Sequence, residues 1–176
     1  PVTIRNTGDA KQNGIALITE DRKSEGMLFD LSIRPNLTLN TLDRISDMFL
    51  INRSRESQVA QEYMQKLNIK APTIESMVVH LSGGNQQKVV LGRSLAGNPT
   101  ILFMDEPTRG VDVGAKNEIY KIMRELAAEG ISIVMISSEL PELLGICDRF
   151  VVLAGGKVRD EFDRTEASDT RVMMAA

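Results

Sequence analysis

Leu81-Ser82-Gly83-Gly84-Asn85-Gln86-Gln87-Lys88, followed downstream by Ile101-Leu102-Phe103-Met104-Asp105-Glu106-Pro107, is the pair of segments on which the fold turns. In the first, Ser82 suits a helix N-cap, because its short side chain can accept from a backbone N–H of the first turn. Gly83 and Gly84 carry no Cβ, so the backbone there can approach a ligand closely. A helix N-terminus attracts phosphate through its free N–H groups and its dipole. The second segment is a continuous apolar run that reads as a buried strand ending in two carboxylates. Ligands of open α/β sheets bind beyond the carboxyl ends of the strands. Asp105 at such an end suits Mg²⁺, which takes carboxylates together with phosphate oxygens. Glu106 is then positioned to polarise an attacking water. Each segment has a plain alternative, a serine-capped helix start in one case and a solvated strand end in the other. Their succession argues for one phosphate-handling unit.

Outward from this pair the chain alternates. Ile15–Thr19 reads as a short strand, and the charged stretch Glu20–Gly26 after it as a solvated loop. From Pro35, a residue suited to the first turn of a helix, Leu37, Leu39, Leu42, Ile45 and Phe49 recur near helical spacing. A second helix is expected from near Ser54, carrying Val59, Tyr63, Met64 and Leu67, so residues 24–97 read as mainly helical. Residues 114–128 place Ile119, Ile122, Met123 and Leu126 on one helical face, and Ile131–Ile136 reads as another buried strand. A helix over Pro141–Ile146 leads to a strand at Arg149–Leu153. This succession predicts an α/β fold in which a parallel sheet, with Arg149–Leu153 as its last strand, is covered by helices. Gly155-Gly156 reads as a hairpin turn with Lys157–Phe162 returning.

Composition excludes several classes. The 176 residues carry 21 Lys and Arg against 24 Asp and Glu, a net charge of −3, which argues against general nucleic-acid binding. No apolar run approaches the ~18 residues of a membrane-spanning helix. The single cysteine, Cys147, cannot form an internal disulfide and is read as a small buried hydrophobe. His80 is the only histidine and is taken as structural. Arg109 has two readings, a contact to another protein half or an ion pair that stabilises its loop. The first residues, Pro1-Val2-Thr3-Ile4, lack an initiator Met, and the chain is expected to be a piece of a longer protein.

Leu81–Gln87 resembles the signature motif of ABC-type ATPases, and Leu102–Glu106 resembles the family's Walker B strand with its catalytic glutamate. Gly110-Val111-Asp112 is similar to the dimer-contacting D-loop. The fuller wording Ser82–Lys88 with Asp105–Lys116, together with Gly14–Lys23 and Ser137–Glu142, resembles the C-terminal ATPase half of bacterial sugar importers of the ribose, galactose and xylose type. The resemblance implies an incomplete P-loop NTPase (RecA-like) parallel sheet, formed by residues 1–23 and 98–176, with an ABC helical subdomain over 24–97. It implies ATP and Mg²⁺ as cofactors, with Glu106 catalytic and Asp105 at the metal. Ser82, Gly83, Gly84, Gln86, Asp112, Glu20 and Ser138 take the nucleotide-binding positions. The implied partners are the N-terminal ATPase half of the same subunit or a second subunit, a membrane permease and, indirectly, a sugar-binding protein outside the membrane. The implied location is the cytoplasmic face of a bacterial membrane.

Three positions depart from the general family pattern. No Gly-x-x-x-x-Gly-Lys-[Ser/Thr] occurs in the chain, so the phosphate-cradling loop is expected upstream of it. Glu20 stands where the family has the Q-loop glutamine, and Ser138 where it has the switch histidine. Both substitutions imply weak hydrolysis at this half's own site. The signature, acting in trans on ATP held by another half, needs no lysine loop here. Two rival readings follow: a module without its own ATP site, and a DNA-repair or chromosome ATPase. The absence of long heptads and of a basic excess speaks against the second.

Overall fold

The computed structural model describes residues 2–48 and 50–175, without the Lys23 side chain. Phe49, placed by its spacing on the first helix, lies outside the described residues. Residues through Ile136 form one compact unit and residues from Ser137 another.

The first unit is built on three parallel strands in the order β1-β4-β5: β1 Ile15–Ile18, β4 Ile101–Asp105 and β5 Ser132–Ile136. Ile15, Ile101 and Ser132 share one register row, and Ile18, Met104 and Met135 another. Helix α1, Thr7–Gln12, leads into β1 and is capped by Asn6, whose side chain accepts from the Asp9 N–H. Gly14, with φ +70°, aims its carbonyl at the N–H groups of Thr100 and Ile101, at 2.8 and 3.0 Å. Parallel neighbours need crossover connections. The first runs through the helical region and the second through α6, Val113–Ala128.

The helical region departs from expectation at its start. Instead of one helix from Pro35 there are α2, Ile33–Thr38, a 3₁₀ turn at Leu39–Thr41, and α3, Leu42–Ile45. The short strands β2, Ser46–Asp47, and β3, Leu50–Ile51, then pair antiparallel. Threonine hydroxyls account for the break: Thr38 donates to the Arg34 carbonyl and Thr41 to the Thr38 carbonyl, competing locally with a regular helix. Leu37 and Ile45 are buried as expected, whereas Leu39 and Leu42 are exposed because the break turns them outward.

Helix α4, Arg53–Lys66, starts one residue before the expected position, with Asn52 accepting from the Arg55 N–H. It buries Ala60, Tyr63 and the capping Leu67, and also Glu56. Glu56 accepts from Arg34 and Arg53, each at 3.0 Å, which satisfies a carboxylate that burial would otherwise make costly. Helix α5, Gly83–Ala96, is the hub of the unit, packing on α2, α4, α6 and β1. A Cβ at Gly92 would stand 2.6 Å from Leu37 Cδ2 and 2.9 Å from Leu67 Cδ1, so glycine is what lets the three helices close. Helix α6 buries Ile119, Ile122, Met123 and Leu126, the face predicted for it.

The second unit contains α7, Leu140–Ile146, β6, Arg149–Ala154, β7, Lys157–Asp163, and α8, Asp169–Ala175. Contrary to the expectation for Arg149–Leu153, β6 does not continue the parallel sheet; it pairs antiparallel with β7, Phe150 opposite Phe162. Gly155 and Gly156, at φ +58° and +73°, form the two-residue turn, and a loop that short joins only antiparallel strands. Phe150 and Phe162 stack with centroids 5.5 Å apart, and Val152 completes the small core. Cys147 packs beside it half-buried, and burial pushes its thiol pKa up. Among the described residues no helix is long and apolar enough to cross a membrane.

Candidate functional site

The signature octet forms the helix start that its residues predict. Ser82 is the N-cap of α5, and its Oγ accepts from the Asn85 backbone N–H at 3.4 Å and from Asn85 Nδ2 at 2.9 Å. Asn85 Oδ1 in turn accepts from the Lys70 N–H at 2.8 Å, tying the helix start to the preceding loop. Ser82 is exposed and Gly83 half-buried. Gly84 is buried against α6, where a Cβ would run into that of Ala115. A Cβ at Gly83 would stand 3.0 Å from the Gly110 carbonyl oxygen and 3.1 Å from Arg22 Nη2. Glycine is therefore demanded at 84, while at 83 a side chain would press on a carbonyl and on the Arg22 guanidinium. Gln86 points elsewhere: it is buried, and its Nε2 donates to the Val78 carbonyl at 3.2 Å.

One turn further along α5, Lys88 is almost fully buried, donating to Glu118 Oε2 at 2.6 Å and to the Asn68 carbonyl at 3.0 Å. The ammonium holds the Glu118 carboxyl below the usual carboxylate range, through its hydrogen bond and then its charge. This pair fixes α5 on α6.

The acidic strand end lies where expected, at the carboxyl edge of the parallel sheet, with Asp105 opposite Ile136 in the register. Glu106 follows at φ +45°, a conformation that side-chain-bearing residues adopt only under constraint. Two hydrogen bonds supply the constraint. The Glu106 N–H donates to the Ile136 carbonyl at 2.9 Å, and its own carbonyl accepts from Arg109 N–H at 3.0 Å. Pro107, with its fixed φ, sits inside this turn. Asp105 and Glu106 are half-buried. Asp112, exposed, caps α6 by accepting from the Ala115 N–H at 3.0 Å.

Glu20 forms an ion pair with Arg109. This is the loop-stabilising ion pair that one reading of Arg109 expects. Beside it, Arg22 Nη1 donates to the Arg109 carbonyl at 2.5 Å and Nη2 to the Gly110 carbonyl at 3.0 Å. Burial lowers the Arg22 pKa, with the charge of Asp21 opposing. Thus Glu20, Gly83, Gly84, Gly110 and Asp112 converge on one loop. Ser138 follows β5 in the second unit and is exposed. His80 is also exposed, at the end of a 3₁₀ turn. Arg22 is the residue that sequence reasoning missed; its only signal was a place in the charged stretch Glu20–Gly26.

Among the described residues no group of three or more His, Cys, Asp or Glu side chains could cage a metal. A single half-buried carboxylate at a strand end fits Mg²⁺, which completes its shell with water and phosphate oxygens.

The ABC transporter family profile matches residues 4–109, which include Glu20, the signature octet and the acidic strand end. The chain belongs to the ABC transporter family. It is 50% identical over 175 residues to the xylose import ATP-binding protein XylG of Moorella thermoacetica, covering 99% of this chain and 34% of that protein. It is 51% identical over 176 residues to the ribose import ATP-binding protein RbsA of Geobacillus kaustophilus, covering 100% of this chain and 36% of that one. The chain thus spans about a third of the length of these curated relatives. Among solved structures, the ADP conformation of an ATP-binding cassette of an ABC transporter superposes with a TM-score of 0.79 at 22% identity, over 99% of this chain and 72% of that chain. A second structure of an ABC transporter's ATP-binding cassette gives 0.78 at 23% identity, over 95% and 70%. These two likenesses show the shared α/β fold.

Proposed function

We propose that this ABC family chain is part of the C-terminal nucleotide-binding half of the ATP-binding subunit of a bacterial sugar importer. We further propose that its signature helix completes an ATP site whose phosphate loop belongs to another half. The observation that carries the reading is the start of α5: an exposed Ser82 at the cap, Gly83 in close approach to Gly110, and Gly84 packed on Ala115 so closely that no side chain fits. Such a start offers a hydroxyl and bare backbone amides to a phosphate from outside the chain. The names and identities of the relatives support sugar import as the process.

In this reading residues 24–97 are the helical subdomain that leans on a membrane permease, and residues 1–23 and 98–176 belong to the ATPase core. The setting is the cytoplasmic face of the membrane, and the sugar-binding protein is an indirect partner. Asp105 holds Mg²⁺, which when bound neutralises charge on the phosphate oxygens. Glu106, constrained by its turn, orients and polarises the attacking water. Asp112 contacts the opposing half. Glu20, engaged with Arg109, and Ser138, which carries no charge, leave this half's own site a weak hydrolyser. The chain alone, with no Gly-x-x-x-x-Gly-Lys-[Ser/Thr], is accordingly a poor ATP binder.

Equilibrium binding of labelled Mg-ATP tests this. The chain added to a separately prepared N-terminal half is expected to tighten nucleotide retention, and Ser82→Ala to abolish most of that gain. Submillimolar Mg-dependent binding by the chain alone, or an unaltered gain with Ser82→Ala, would overturn the reading in trans.

A further inference from the structure

Three segments that serve different purposes in the proposed mechanism meet at one side chain. The turn Arg22–Gly26 follows β1, the loop Arg109–Gly110 follows β4, and Gly83 opens α5. Arg22 spans them. Its two terminal nitrogens are used on successive carbonyls of the second segment, and its Nη2 lies within 3.1 Å of where a Cβ on Gly83 would stand. The flank is reinforced by the Glu20–Arg109 ion pair. The first segment is itself ordered by Asp21, whose carbonyl accepts from the Glu25 and Gly26 N–H groups and whose carboxylate accepts from the Ser24 N–H.

The geometry is selective for this residue type. Arginine presents a planar fork whose N–H groups reach two acceptors at a fixed separation. A lysine at position 22 has one ammonium and cannot reproduce the fork. Gly110 contributes in two ways. Its φ of +66° turns its carbonyl toward Arg22, and a Cβ there would stand 3.4 Å from Nη2.

We propose that Arg22 is a positioning residue: it binds the turn after β1 to the D-loop-like segment and thereby sets the position of that segment against the signature glycine. A shift of the turn is passed to Gly110 and Gly83 by one rigid fork. This inference rests on the proposed trans role only for its consequence in ATP binding; the linkage itself is a property of the chain without nucleotide.

Amide hydrogen exchange on the 176-residue chain, with no nucleotide present, separates the two. Arg22→Ala is expected to raise exchange by about tenfold at Val111, Asn85 and Gln86, whose N–H groups are hydrogen-bonded within the chain, with the protection of α4 amides unchanged. Arg22→Lys should give an intermediate rise, since one donor survives. The amide resonances of Gly83 and Gly110 should move together in both variants. Exchange at residues 109–111 that stays at the wild-type level in both variants would overturn the proposal. So would a rise spread evenly over α4 and β4, which marks general loosening. If Arg22→Ala does not fold, Arg22→Lys alone decides, because a purely structural charge would be restored by lysine and the fork would not. Loss of the linkage leaves the trans reading standing, and failure of ATP binding in trans leaves the exchange result standing.

Discussion

The two faces of the three-stranded sheet have nearly the same sequence character and opposite environments. On one face Leu102 and Met104 are 0% exposed and Ile18 joins them, with α5 packed on β1 and α6 on β5 to either side. On the other, Leu17 is 61%, Val134 43% and Ile136 53% exposed, with Phe103 half-buried in the same register row as Leu17 and Val134. All these positions are apolar. The strands therefore read as buried on both sides, as parallel strands usually are. The difference teaches that an apolar run reports capacity for burial, while the helices decide which half of that capacity is used.

The comparison is most easily broken on the covered face. Leu102→Ala is expected to cost about 2–5 kcal/mol in urea denaturation, as cavity-forming core truncations do. A cost below about 1 kcal/mol would mean that the helices are not packed there as described. The cover itself is tested next. Gly84→Ala forces a methyl onto Ala115 and should cost about 1–3 kcal/mol by overpacking. It should weaken nucleotide retention in trans as well, because the start of α5 must shift.

A smaller effect concerns the ion pair that fastens the two covering helices. The Glu118 carboxyl titrates below its usual range in the folded state, so its contribution is present above the ordinary Glu pKa of about 4.3 and is lost as pH falls through the lower folded value. Glu118→Gln should flatten the acid limb of the stability profile slightly, since the carboxylate is partly exposed and screened. The smallest effect is expected on the open face. Leu17→Ser should change stability by no more than about 0.5 kcal/mol, the range of ordinary surface substitutions. A large loss there would show that this face is covered in solution, and the contrast between the faces would fail.

Much of the candidate site was legible because its signals are local. Ser82 was read as a cap from the residue and its next turn, and it is one; that Asp112 also caps a helix came only from the structure. The strand Ile101–Asp105 announced itself by an apolar run ending in acid. Four features were not legible. Thr38 and Thr41 broke a helix that the leucine spacing made continuous, because hydroxyl-to-carbonyl bonds leave no mark on hydrophobic periodicity. Glu56 looked like a surface charge on α4 until its arginine partners surrounded it. Gln86, adjacent to the signature glycines in sequence, turned inward because helix geometry carries it around to Val78. The hairpin of Arg149–Ala154 with Lys157–Asp163 was read from the Gly155-Gly156 turn, but the parallel pairing expected for Arg149–Leu153 rested on strand-helix alternation alone, which does not specify a strand's neighbours.

Residue order alone carried the family resemblance, the glycine-primed helix and the acidic strand tip, since each depends on neighbours within a turn or two of chain. The fold in space decided which sheet face was covered, that Glu20 would meet Arg109, and that Arg22 would reach carbonyls 87 and 88 positions away. Contacts of that span arise when separate segments are packed against one another. No local propensity encodes them.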